Sequence, residues 1–347
     1  MHLFWRTAIL AAGVSLLLFV FRDVDILETG RRIARLWPFL PLILSFYLLG
    51  SLCDTAAWSI LLQDAHATVS FRRLLLVHLA GESFYRFLPA GVVIGESVKV
   101  ALLSGGGHLP VPRILSSLIA RKILMGIAQA VYIGISASLG ILLFSSDQPV
   151  WIHRTGGIVS MVLLTVFIIA GAVVRRGDAG IALMGWLSRF PVRPVRFAVL
   201  RHRSSFAEMD RHLSGALSGD RRRLWRSTGL FFLGWWTELL ESWVILALLV
   251  PLSATLPVLV FEPVVSLLRS VAFVMPGGLG VMDLGYASSL GAIPSATAAS
   301  LIATFIILKR IKELFWVIVG VSITAIVGSG SVVIEEERQE NIPEVAV

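Results

Sequence analysis

The chain has 347 residues, 56% of them hydrophobic and only 15% charged, and its mean hydropathy is +0.84. These values exclude an ordinary soluble domain and define an integral membrane protein, with length for roughly seven or eight spans of about 20 residues. The net charge of +8 does not indicate nucleic acid, because the arginines gather beside apolar runs, as they do on the cytoplasmic side of membrane proteins.

One cysteine, Cys53, leaves no disulfide framework and no cysteine-based zinc site, and the seven histidines have no metal-ligand spacing, so neither metal nor cofactor is expected. In chain order, the apolar runs are residues 3–21, 37–62, 112–146, 155–174, 228–250 and 295–329, with two shorter, interrupted runs at 71–104 and 262–292. The first is read as a retained span, since the following Phe-Arg-Asp-Val-Asp offers no signal-peptide cleavage site. Residues 112–146 and 295–329 are long for single spans, each a tilted helix or a hairpin.

Orientation follows from the loops. Residues 175–227 carry twelve arginines against four acids, Asp178, Glu208, Asp210 and Asp220, which places that segment and the N-terminus in the cytoplasm. Loops 145–154 and 251–261 then read as external. Loop 22–36, with Arg22, Arg31, Arg32 and Arg35, also falls outside and fits the rule poorly. The basic segment reads as a solvated loop with short amphipathic helices, in which Arg221, Arg222, Arg223 and Arg226 could attract anionic lipid headgroups. The tail 331–347, with Glu335, Glu336 and Glu337, reads as disordered.

The interrupted runs carry the functional signal. In Phe273–Gly291, Pro276, Gly277, Gly278 and Gly280 break an apolar helix, and Asp283 follows seven residues after the proline. Broken backbone at membrane depth is tolerated only where protein or a water-filled cavity covers it, and an ionisable residue there marks a candidate site. The pattern recurs: Pro89 leads to Gly91 and Glu96 at the same two spacings. Ser117-Leu118-Ile119-Ala120 also reappears downstream as Ser300-Leu301-Ile302-Ala303. With the topology above, segments 71–146 and 262–329 read as an inverted repeat, an arrangement in which transporters place substrate at the repeat interface. Each half-helix starting at a Pro-x-Gly break would point unpaired N–H groups at an occupant such as a lipid phosphate.

Other charges join these two. Glu96 and Lys99 are neighbours on one helix face, Glu82 and Arg86 have the four-residue version, and Arg121 and Lys122 open the next helix. Glu238 and Glu241 share a face and need partners, for which Arg269 and the run Lys309-Arg310-Ile311-Lys312-Glu313 are available. A mutual ion-pair network and a headgroup site would use the same residues. Trp235, Trp236 and Trp243 read as bilayer-interface residues. No G-x-S-x-G or H-E-x-x-H motif occurs, and Gly278-Leu279-Gly280 is no dinucleotide loop, so no enzyme is expected.

At these residues the chain resembles the flippase-like membrane family, the lysylphosphatidylglycerol synthase transmembrane region. One block is carried by Pro89, Gly95, Glu96, Lys99 and Leu103. The other is carried by Pro276 through Asp283 and then Leu308-Lys309-Arg310. Asp283 stands where the family usually has glutamate and Lys99 where it commonly has arginine. The resemblance covers about residues 5–330 and implies a multi-pass protein of the bacterial inner membrane that moves or handles lipids. It lacks the aminoacyl transferase domain of the longer members, and the Gly-Glu-Ser-Val-Lys and Leu-Lys-Arg-Ile-Lys-Glu-Leu runs look like the hopanoid-associated branch.

The expected fold class is all-α integral membrane, a polytopic helical bundle with two broken or re-entrant helical segments arranged as an inverted repeat. The expected domain is residues 3–330, with the tail 331–347 outside it. The expected activity is translocation of a lipid headgroup through a midplane polar cavity, with membrane lipids of anionic or hopanoid type as partners. The substrate-binding set is Pro89, Gly91, Glu96, Lys99, Arg121, Glu238, Glu241, Arg269, Pro276, Gly278, Gly280, Asp283 and Arg310. The alternative is a non-transporting accessory protein that docks a lipid-modifying enzyme.

Overall fold

The computed structural model describes residues 2–62, 69–88, 91–105, 109–144, 150–177, 203–218, 220–271, 275–293 and 298–340, which are helical almost throughout and contain no strand. The helices are α1 (His2–Phe21), α2 (Ile26–Leu36), α3 (Leu40–Leu61), α4 (Phe71–Phe87), α5 (Gly91–Ser104), α6 (Val111–Phe144) and α7 (Val150–Arg175). After these come α8 (Arg203–Ser218), α9 (Arg221–Ala247), α10 (Val258–Val271), α11 (Val281–Gly291) and α12 (Ala299–Glu340).

Local signals set several boundaries. Asp25 accepts from the N–H groups of Leu27 and Glu28 to start α2, Ser70 accepts from Arg73 N–H to start α4, and Asp220 accepts from Arg222 N–H to start α9. Among the described residues, four stretches are long and apolar enough to cross a membrane: 26–61, 111–140, 158–175 and 221–247. The 20-residue α1 and the 42-residue α12 lie outside these four stretches, and α4, α5, α10 and α11 take up further apolar sequence. The stretches 112–146 and 295–329, open to two readings, are parts of single helices, α6 and α12. Helix α12 also continues to Glu340, ten residues into the tail expected to be disordered. Val, Glu, Gln and Arg extend an already nucleated helix at little cost. Residues 341–347 lie outside the described residues.

Both interrupted runs form helical hairpins. Helices α4 and α5 have 17 and 14 residues, and α10 and α11 have 14 and 11; each is shorter than the ~20 residues a bilayer core requires. Lipid is as apolar as leucine, so helix association in a membrane depends on close approach through small residues. In the first hairpin Gly81 faces Gly95, and a β-carbon on either would collide with the other's carbonyl oxygen. In the second, Gly277, Gly278 and Gly280 have φ of 58°, 61° and 79°, left-handed values that turn the chain through a short 3₁₀ turn, Pro276–Gly278, into α11.

The two tips meet at the centre. A β-carbon on Gly277 would lie 3.0 Å from the Arg86 carbonyl oxygen at the end of α4. Helix α12 lies along α4, α9 lies along α3 and α6, α7 covers α6, and α1 packs on α11. Helix α8, within the basic segment, is more than a solvated loop element: its buried Met209, Leu213 and Leu217 seat it on α6 and α7.

The glycines provide a stability test. Gly95→Ala should destabilise the protein by several kcal/mol, through overpacking against a backbone that cannot yield. Gly229→Ala, on the open side of α9 with nothing within 4 Å, should stabilise it by about 0.5–1 kcal/mol. Thermal unfolding of the detergent-solubilised protein, followed by size-exclusion chromatography, reads both shifts.

Candidate functional site

Three clusters of charged side chains lie inside the bundle, and in each the described cations and carboxylates are equal in number. The first joins the α4–α5 hairpin to α3 and α6. Lys99 Nζ donates to Glu82 Oε1 at 2.9 Å and Glu96 Oε1 at 3.4 Å, and Lys122 lies 2.8 Å from Glu96. Arg121 sits among Asp54, Glu82 and Glu96 at 3.5–3.6 Å, with one Nη 3.3 Å from His78 Nδ1.

The second cluster is built at the hairpin tips. Arg269 on α10 donates to both carboxylate oxygens of Glu238 at 2.5 and 2.8 Å. Arg86 on α4 lies 3.9 Å from Glu238 and 3.8 Å from Glu313, with its guanidinium 4.9 Å above the Tyr47 ring. Arg310 on α12 forks onto Asp283 at 2.9 and 2.7 Å and also donates to Gly277 O at 2.9 Å and to Glu313 at 2.7 Å. The third cluster is almost wholly buried. Lys312 donates to both oxygens of Glu241 at 2.8 Å, and Lys309 lies 3.3 Å from Glu241 and 3.4 Å from Glu262. Glu262 in turn accepts from Ser242 and Tyr286. Burying ions is tolerable only with such pairing, so much of this network is structural.

Between the first two clusters lies a cavity of about 110 Å³. Asp54, His78, Glu82 and Lys122 line it on one side and Arg86, Glu238 and Arg269 on the other, with Tyr47, Tyr85, Phe231 and Trp235 among its apolar walls. A smaller cavity of about 30 Å³ lies between the hairpin tips and shares Tyr85, Arg86 and Arg269, with Gly277, Gly278 and Glu313. Three of the lining residues carry a buried donor with no hydrogen-bond partner in the protein: the Nε–H of Arg86, the Nε–H of Arg269 and the indole N–H of Trp235. Buried donors left unmade are costly, and here all three belong to residues that line one cavity.

The expected site residues separate into groups. Glu238 and Arg269 line the main cavity and Gly278 the small one. Glu96, Lys99 and Arg121 form the charged wall behind it. Asp283 and Arg310 form a clamp between the broken segment and α12, and Glu241 belongs to the third cluster. Gly91 donates its N–H to the Leu88 carbonyl and packs against the Tyr85 carbonyl, where a β-carbon would collide. Pro276 opens the 3₁₀ turn and not α11, which begins after Gly280, so the expected proline-led half-helix is corrected there. The N–H of Gly280 is not free for a ligand, because Asp283 Oδ2 accepts from it at 2.8 Å. Pro89 lies outside the described residues.

Two other expectations are corrected. Glu82 and Arg86 turn away from each other, to Lys99 and Arg121 on one side and to Glu238 and Glu313 on the other, because buried partners from other helices compete successfully with a local pair. Trp235, read as an interface residue, lines the cavity. Asp54 and His78 were missed, although an acid deep in the apolar run 37–62 is itself a signal.

A family model, Lysylphosphatidylglycerol synthase TM region, matches residues 4–320. The chain belongs to that family. Membership makes it a membrane-embedded protein linked to lipid handling. No curated protein and no solved structure matches it.

Proposed function

We propose that the cavity between the hairpin tips receives the phosphate-bearing headgroup of a membrane lipid and passes it across the bilayer, as a carrier and not as an enzyme. The observation that carries this reading is a cavity lined by Arg86, Arg269 and Trp235, each with an unpaired buried donor, together with Asp54, Glu82 and Glu238. A phosphate satisfies the donors, while the carboxylates suit any cationic part of the headgroup. At about 110 Å³ the cavity admits a headgroup but not acyl chains, which stay in the bilayer.

The reading places the chain in the bacterial inner membrane with residues 175–227 in the cytoplasm. The units α4–α6 and α10–α12, each a hairpin followed by a long helix, are its inverted halves. Vesicles containing the purified protein test it: fluorescent phospholipid in the inner leaflet should become accessible to an external quencher faster than in protein-free vesicles, and equal rates would sink the proposal. Topology is tested separately in a Cys53→Ser background. Cysteines placed singly at positions 148 and 256 should react with an impermeant maleimide outside the cell, and one at 223 should not.

A further inference from the structure

The larger of the described cavities is not the central one. A space of about 180 Å³ lies where the end of α3, the first turns of α6, the middle of α8 and the start of α9 come together. Residue 62 is eight positions beyond Asp54 on α3, so the space lies about 12 Å along that helix from the central cavity. It is a separate compartment, and nothing in the proposed headgroup path uses it.

Its lining is cationic. Arg113 of α6, Arg211 and His212 of α8 and Arg223 of α9 border it, against one carboxylate, Asp220. Asp220 is already engaged: one oxygen accepts the Arg222 N–H at 2.9 Å and caps α9. His212 lies 3.6 Å from Glu208, and Arg113 has interactions within the protein. Arg211 and Arg223, in contrast, take part in no ion pair among the described residues. Elsewhere in the bundle each charged cluster matches its cations with carboxylates; among the described residues Arg211 and Arg223 have no such match.

The backbone adds charge of the same sign. Helices α6 and α9, 34 and 27 residues long, both begin at this space, and the N-terminal end of a helix carries a partial positive charge, while Pro110 and Asp220 already accept N–H groups in the first turns of α6 and α9. A cavity of this size accommodates an oxyanion with its waters.

We infer that this compartment binds a phosphate group, with Arg211 and Arg223 as its principal ligands. The phosphate has two sources, an anionic lipid of the adjoining leaflet or a soluble phosphate in the water phase. In either case an occupant would cross-link α8 to α9. The basic segment is then a ligand-binding element in addition to an orientation signal.

The test uses the full chain in nanodiscs. In one arm, native mass spectrometry counts phosphatidylglycerol retained from mixed phosphatidylglycerol–phosphatidylcholine discs. In the other, inorganic phosphate is titrated into phosphatidylcholine discs and followed by calorimetry. Arg211→Gln/Arg223→Gln removes both free cations at exposed positions, while Arg221→Gln/Arg222→Gln removes the same charge from the same region without touching the cavity. Binding of either probe to the wild type, weakened at least tenfold by the first pair and less than threefold by the second, is the expected result. The arm in which it appears identifies the source. Equal weakening by both pairs would reduce the effect to general surface charge and overturn the site, as would binding unchanged by the first pair or no binding in either arm.

Discussion

Asp283→Ala should destabilise the protein by about 4–6 kcal/mol, a large share of its total stability. The Asp283 side chain is 1% exposed and holds both forks of Arg310, and it also closes the N–H of Gly280 at the start of α11. Removing one partner of a buried ion pair costs about 3–5 kcal/mol, and loss of the cap adds about 1. A total stability of roughly 5–15 kcal/mol leaves little margin after that loss. A double-mutant cycle separates this clamp from a headgroup ligand. Arg310→Met alone should also destabilise, and Asp283→Ala/Arg310→Met should be more stable than the sum of the singles by roughly 1–3 kcal/mol. Additive losses in thermal unfolding would show that the two side chains do not act as a pair.

The clamp also shows where sequence reading stops. The proline–glycine break and its acid were visible in the chain, because few residue types reverse a helix inside apolar sequence. The role of the acid was not visible. A carboxylate three residues past an N-cap usually announces itself through a Ser or Thr at that cap, but here the cap is Gly280, whose left-handed φ of 79° admits little else. The family resemblance and the helical membrane class were legible for a similar reason, since composition and a few short motifs carry them locally.

Long-range pairings were legible only as inventories. Glu241 and Lys312 are 71 residues apart and Arg269 and Glu238 are 31 apart; the sequence supplied the right list of partners without the assignments. The i,i+4 spacing of Glu82 and Arg86 suggested a local pair. The fold instead spends each on a different cluster, because Lys99 and Arg121, almost wholly buried, demand the carboxylate of Glu82 more strongly than a partly exposed neighbour does. Repetition was legible as spacing alone. Glu96 lies six residues into α5 and pairs with lysines, whereas Asp283 lies in the first turn of α11 and caps it, so equal spacing from a proline led to unequal roles.

Arg269→Gln should slow lipid movement in reconstituted vesicles by tenfold or more. A hydrogen bond to a charged group is worth about 1.5–3 kcal/mol, and each 1.4 kcal/mol is a factor of ten in rate. Arg269 lines the cavity and carries an unpaired Nε–H while its Nη1 holds both oxygens of Glu238. The substitution alone does not separate ligand from scaffold, because Glu238 loses its closest partner and keeps only Arg86 at 3.9 Å. Trp235→Phe makes the distinction. The indole N–H has no acceptor within the protein, so exchanging it for a phenyl ring breaks no internal hydrogen bond and retains most of the packing, including the stacking on Tyr132 with ring centroids 6.1 Å apart. If the indole N–H serves only the fold, Trp235→Phe should leave the vesicle rate unchanged. If it donates to a headgroup phosphate, the rate should fall several-fold with the thermal unfolding temperature almost constant. Unchanged rates in Trp235→Phe and in a stably folded Arg269→Gln would together remove the cavity from the transport path.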